Sequence, residues 1–199
     1  MENVATILDF WFGSEADDKA VADGQAQLWW SKNAAVDLAM RERFATLTDK
    51  AASHAFDDWA ETSAGLLALI LLTDQFPRNM YRETPHSFAF DPLALAWCKQ
   101  GLGNGLYATL RPIEQVFFFL PLEHSESLDD QDHAVELFAE LLANAPPPHC
   151  DTFAGFHDFA LRHREVIRRF GRFPHRNDIL GRTSTPEELA FLQEKGSRF

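Results

Sequence analysis

The sequence predicts an all-α chain, and three observations carry that prediction. Apolar residues recur at helical spacing along most of the 199 residues, and no window alternates apolar and polar residues between hairpin turns. Proline also stands repeatedly where a helix would begin. At Asp91-Pro92, Arg111-Pro112 and Thr185-Pro186 it takes the first helical position, where its missing N–H costs no hydrogen bond.

Taken in chain order, the spacing predicts helices over 4–12, 25–32 and 34–54. The next, 64–76, is nearly all apolar and is stopped by Pro77. Its strongest run, 64–72, is too short to cross a bilayer, which takes ~20 residues. A helix over 92–102 starts on Pro92 and is released by Gly101, Gly103 and Gly105, and one over 112–120 starts on Pro112 and stops at Pro121. The helix over 128–144, with Ser125 or Ser127 as its cap, carries an apolar arc of Leu128, Val135, Phe138 and Leu142, and Gln131 falls inside that arc. Pro146-Pro147-Pro148 is the best internal linker. Beyond it, 152–170 sets Phe156, Phe159, Val166, Ile167 and Phe170 on one arc with His163 at its centre and His157 and Arg164 on its flank. Pro174 follows as a stop. The last helix, 186–195, places Glu187 and Glu188 in its positive first turn. Short turns between helices predict hairpins packed as a bundle or a stack.

Length and a 46% hydrophobic content allow one sizeable core, so 1–199 is read as a single helical domain. A net charge of -12 and a pI of about 5.0 set the average field against phosphate backbones and anionic lipid, so neither nucleic acid nor a membrane is an expected partner. The N-terminal "MENVATILDFWFG" has no basic region, which argues against a signal peptide. Cys98 and Cys150 form no C-x-x-C motif and suggest no disulfide framework, so a reducing, cytoplasmic location is expected.

Four separated blocks, "ILDFWFG", "LLTDQFPRNMYR", "FLPLEHSESLDDQ" and "RFGRFPHRNDILGR", together span most of the chain. They resemble a bacterial family catalogued as a domain of unknown function, number nine hundred and twenty-four. The resemblance implies a tetratricopeptide-repeat-like array of helical hairpins. It brings no activity, substrate or catalytic residue, and the repeat's own sequence pattern is not legible here.

Two corners concentrate hydrogen-bonding capacity. "FPRN" at 76–79 and "FPHRN" at 173–177 each follow an apolar run and set Arg-Asn just past Phe-Pro. Asp74 precedes the first, at the end of an apolar helix where the dipole disfavours an anion, so a cation is expected beside it: Arg78, Arg82 or Arg176. Between Lys99 and Lys195 there is no lysine, and Arg162, Arg164, Arg168, Arg169, Arg172, Arg176 and Arg182 crowd one segment. Arginine's planar fork suits carboxylate or phosphate, which fits an anion site and equally a lattice bracing acidic helices. "LEHSE" adds Glu123, His124 and Glu126 at a helix boundary. Trp11-Phe12 and Trp29-Trp30 serve either as core packing or as a ligand wall.

Several chemistries are set aside, since the chain has no Walker loop, no G-x-S-x-G, no H-E-x-x-H and no EF-hand loop. "GLGNG" lacks the preceding strand of a dinucleotide loop, and His124-Ser125-Glu126 is not followed by P-C-x-x-C. No motif calls for a cofactor or a metal. The leading expectation is a binding protein for a small anionic molecule or an acidic peptide end, held by Arg78, Asn79, Arg172, His175, Arg176 and Asn177. One alternative is a hydrolase-type enzyme using His163, His124 or His175 as acid or base, with Glu123 or Glu126 as orienter or metal ligand. The other is a helical adaptor for a protein partner, in which Asp74, Gln131 and His163 form a purely structural polar network.

Overall fold

Asparagine, aspartate and threonine side chains start the early helices of the computed structural model, which describes residues 2–197. Asn3 accepts from the Thr6 amide to open α1 (Val4–Phe12), which closes at Gly13 with φ 70, a conformation that favours glycine. Asp17 caps α2 (Asp18–Trp30), so this helix begins seven residues before the predicted start; Gly24, which weakens the spacing signal, lies inside it. Asn33 caps α3 (Ala34–Ala52), and Thr62 caps α4 (Ser63–Ile70) by accepting from the Gly65 amide. Gly65 is required there, because a Cβ would lie 2.0 Å from the Trp59 carbonyl oxygen.

Where the sequence predicts one helix ending at Pro77, the chain continues through a π-helical turn, Leu71–Gln75, into α5 (Phe76–Met80). The Phe76 amide reaches back to the Leu71 carbonyl instead of that of Leu72, and the Thr48 hydroxyl donates to the Leu72 carbonyl at 2.9 Å in its place. Pro77 needs no donor of its own in this register. Proline starts α6 (Asp91–Gly103) and α7 (Pro112–Glu123) as expected, but Pro121 lies inside α7 and does not end it. Gln131 closes the end of α7 beyond Pro121: its amide donates to the carbonyls of Glu123 at 2.6 Å and Ser125 at 2.7 Å, satisfying acceptors that the helix end leaves open. Gln131 does so from α8 (Leu128–Ala143). Then come α9 (Cys150–Phe170), ended by Gly171 at φ 68, and α10 (Pro186–Phe191), opened by a reciprocal pair of bonds between Thr185 and Glu188.

The described residues contain no strand, and the fold is all-α. α4, buried from Gly65 to Ile70, packs against α1, α6 and α7, which accounts for its apolar sequence on every face. α7, α8 and α9 pack in succession, the last two most extensively. Trp11, Phe12 and Trp29 close around Phe117 in the main core, while Trp30 is 55% exposed. A second, small apolar cluster of Val166, Ile167, Phe173 and Phe191 ties the C-terminal segment to the end of α9.

Gln131 and His163 are buried, as their places on the apolar arcs imply. Leu142, Phe156 and Phe170 of those arcs are half-buried, and two others are exposed: Phe159 is 49% exposed beneath the Arg162 guanidinium, and Leu128 faces solvent at the first turn of α8. The buried stripe is narrower than the wheel suggests. No helix of the described residues is long and apolar enough to cross a membrane.

Candidate functional site

The π-helical turn aims Asp74 into the protein interior, where a regular helix end would leave an anion against the dipole. Its carboxylate accepts from His124 Nδ1 at 2.8 Å and from the Gln75 amide, and Arg78 Nη1 lies 3.3 Å away. Burial alone would raise this carboxyl, but Arg78 and His124 outweigh it and hold Asp74 ionised below the usual carboxylate range. His124, just beyond the end of α7, is pushed below its ordinary range by burial and by the Arg78 cation, against the pull of Asp74. The imidazole is therefore neutral at pH 7, with its proton on Nδ1 facing Asp74 and the lone pair on Nε2.

Arg78 spans two acids. It donates to the Asp74 carbonyl at 2.9 Å and forks onto Asp91 at 2.8 and 3.0 Å. Burial opposes its charge, yet Asp74 and Asp91 together raise its pKa. Asp91 thus gives both oxygens to Arg78, and Arg176 reaches it only through one long contact of 3.4 Å. Arg176 is 6% exposed and sandwiched by Phe88 at 4.8 Å and Phe173 at 4.4 Å. Its Nε has no hydrogen-bond partner among the described residues. Burial first and the Arg78 cation second lower Arg176 to about 10.

A cleft of about 240 Å³ opens beside this cluster, lined by Asp91, His124, Glu126 and Arg176 with Pro92 and Leu95 among its apolar walls. Beneath it, His163 Nδ1 donates to the Phe159 carbonyl at 2.9 Å and stands 3.0 Å from Glu123. The rings of His124 and His163 are 6.3 Å apart. His175, its ring 5.6 Å from that of Phe173, is lowered to about 3 by burial and by Arg176. Glu126 fixes the corner that carries Arg176: it accepts the Phe173 amide at 2.8 Å and a two-pronged contact from Arg182 at 2.7 and 3.0 Å.

The remaining candidates sit elsewhere. Asn79 donates to the Leu28 carbonyl at 3.2 Å. Arg172 forks onto Glu188 at 2.6 and 2.8 Å, and Asn177 donates to Ser184 and Glu188. Arg82 pairs with Asp37, so the cations at Asp74 are Arg78 and, through Asp91, Arg176. The two Phe-Pro corners therefore meet through Asp91, not through a shared face of arginines. Asp91 is the member that the sequence hides, because Asp91-Pro92 reads fully as a helix start. Among the described residues, no three His, Cys, Asp or Glu side chains gather as metal ligands.

Over residues 7–196 the chain matches the profile of a family described as bacterial protein of unknown function (DUF924). It is also similar to a solved structure of a protein of unknown function from Agrobacterium tumefaciens, with 36% identity, 96% of each chain covered and a TM-score of 0.80. No curated protein matches it.

Proposed function

We propose, from the premise that the chain belongs to the bacterial DUF924 family, that the cleft beside Arg176 binds a small molecule carrying a carboxylate or phosphate. The observation that carries this reading is the state of Arg176, a buried guanidinium with an unpartnered Nε and a single long ion-pair contact at the wall of a cleft. Buried cations are normally paired and hydrogen-bonded, and Asp91 is already occupied by Arg78. A bound anion supplies the missing acceptors, while His124 Nε2 accepts from a donor group of the same molecule. The cleft volume suits a metabolite of a few carbon atoms. The free thiols of Cys98 and Cys150 support a reducing, cytoplasmic setting for it.

Arg172 and Asn177 take a different role in this reading. Both end on Glu188 and brace α10. The test is thermal unfolding with acetate, inorganic phosphate and a panel of small carboxylic and phosphoric acids, for wild type, Arg176→Met and Arg172→Ala. A ligand at 100 times its Kd stabilises by ~2.7 kcal/mol, an easily read shift. The shift is expected in wild type and Arg172→Ala and to vanish in Arg176→Met. No shift with any anion in wild type overturns the reading.

A further inference from the structure

We infer that the cleft is a proton-transfer centre for small 2-oxo acids, with His124 as the base and Asp74 as its positioning residue. This rests on the anion reading above and gives that site a chemistry. Asp74 holds His124 Nδ1 at 2.8 Å, which leaves Nε2 for the cleft that His124 lines. The pairing fixes tautomer and ring orientation together, and a carboxylate behind the ring raises the basicity of the opposite nitrogen. A neutral base and a sparsely paired cation then share one small, partly apolar space.

The rest of the lining selects the reaction class. The Ser125 hydroxyl donates to Asp130 at 2.7 Å and is engaged as a donor, and Cys98 is fully buried in the core, so neither is presented as a nucleophile. Asp91 and Glu126 are carboxylates already held by arginines, and they offer no donor for a tetrahedral oxyanion. Hydrolysis needs such donors as well as a base. Enolisation of a 2-oxo acid needs a base and a single cation, because its carboxylate and keto oxygens are adjacent and one planar guanidinium faces both. His124 Nε2 takes a proton from the carbon next to the keto group, and the C–H electron pair forms the C=C bond as the carbonyl π pair moves onto oxygen. Arg176 faces the carboxylate and the adjacent enolate oxygen together and balances the charge that develops there. When the imidazolium exchanges its proton with solvent and returns one to carbon, the acid is regenerated with a solvent hydrogen, and no oxidant, reductant or second substrate is consumed.

The test uses the full chain in D2O with pyruvate and 2-oxobutyrate as probes, following loss of the proton signal next to the keto group by NMR. General-base catalysis contributes ~10²–10⁴-fold, so exchange should exceed that in buffer by at least about a hundredfold and return to the buffer rate in His124→Gln. The rate should rise with pH as His124 loses its second proton. The charged and titratable groups around His124 are Asp74, Arg78, Asp91, His163 and His175, with Arg176, Glu123 and Glu126 at the same site. Asp74→Asn removes the anion that favours imidazolium, so the limb should move to lower pH, which a merely structural role would not produce. Wild-type exchange no faster than buffer overturns the inference, as does a folded His124→Gln that exchanges at the wild-type rate. If acetate or phosphate still shifts the unfolding temperature while no exchange occurs, the base is wrong and the anion site stands. Exchange that needs His124 but is indifferent to Arg176→Met supports the base and overturns the anion reading.

Discussion

Asp74 is a fully buried carboxylate whose neighbours are His124, Gln75 and Arg78, and the cost of removing it follows from what it leaves behind. In Asp74→Ala, Arg78 keeps Asp91, but the guanidinium loses one of its two acids and His124 loses its acceptor. Breaking a buried pair in this way costs ~3–5 kcal/mol, expected as a lower urea midpoint at unchanged slope. An unchanged midpoint would show that Asp74 does not hold the fold. Gln131→Ala should cost ~1–3 kcal/mol by the same measurement, because the Glu123 and Ser125 carbonyls lose their donor. At this scale the sequence was informative wherever a polar residue interrupted an apolar pattern, as Asp74, Gln131 and His163 do. It was silent where a polar residue had an ordinary local explanation, as Asp91 had at the start of α6. Phe159 misled for the opposite reason: spacing marks a face but not the depth of burial, and that ring is 49% exposed.

Helices with a proline start or a wide apolar arc were legible at their starts to within two residues, because a local signal sets those. Their ends were less so: α7 ends three residues later and α10 four residues earlier than the spacing predicts. α2 and the run from α4 to α5 were not legible in this way. Their extents depend on Asp17 as a cap and on Thr48, which comes from another helix to serve the Leu72 carbonyl. Close packing between elements is tested at Gly101, where a Cβ would meet Phe118 Cζ at 2.4 Å and Leu66 Cδ1 at 3.1 Å. Gly101→Ala should therefore destabilise by ~1–3 kcal/mol despite the better helix propensity of alanine. The attachment of α10 makes a prediction in pH. Arg172 first, then the Thr185 amide, hold the Glu188 carboxyl down at about 2 against the effect of burial. A carboxyl depressed in the folded state contributes stability that is complete above its unfolded pKa of ~4.3 and is lost as pH falls towards the folded value. Proteolysis within 170–197 should accelerate between pH ~4 and about 2 in wild type, and Glu188→Gln should show that susceptibility already at neutral pH with little further change on acidification.

Over the whole molecule, the arginines of an otherwise acidic chain resolve into local ion pairs: Arg78 and Arg176 meet Asp91, Arg172 meets Glu188, and Arg182 meets Glu126. Composition could announce that arginine was concentrated in the C-terminal third but not which acid each one faces, since the partners of Arg176 and Arg182 lie 85 and 56 positions away in sequence. Cys98 offers a readout of global opening. Burial pushes its thiol well above the ordinary range, so alkylation should be confined to Cys150 in native protein and reach Cys98 only with unfolding. The small apolar cluster of Val166, Ile167, Phe173 and Phe191 has a consequence in time as well as in space. One wall of the cleft, with Arg176, hangs from that cluster, while the other, with His124, stands at the end of a helix anchored in the main core. Amide hydrogens of 173–182 should then exchange with solvent deuterium through a lower-energy opening than those of α4, and the residence time of a bound anion should track that opening, lengthening wherever the C-terminal cluster is reinforced.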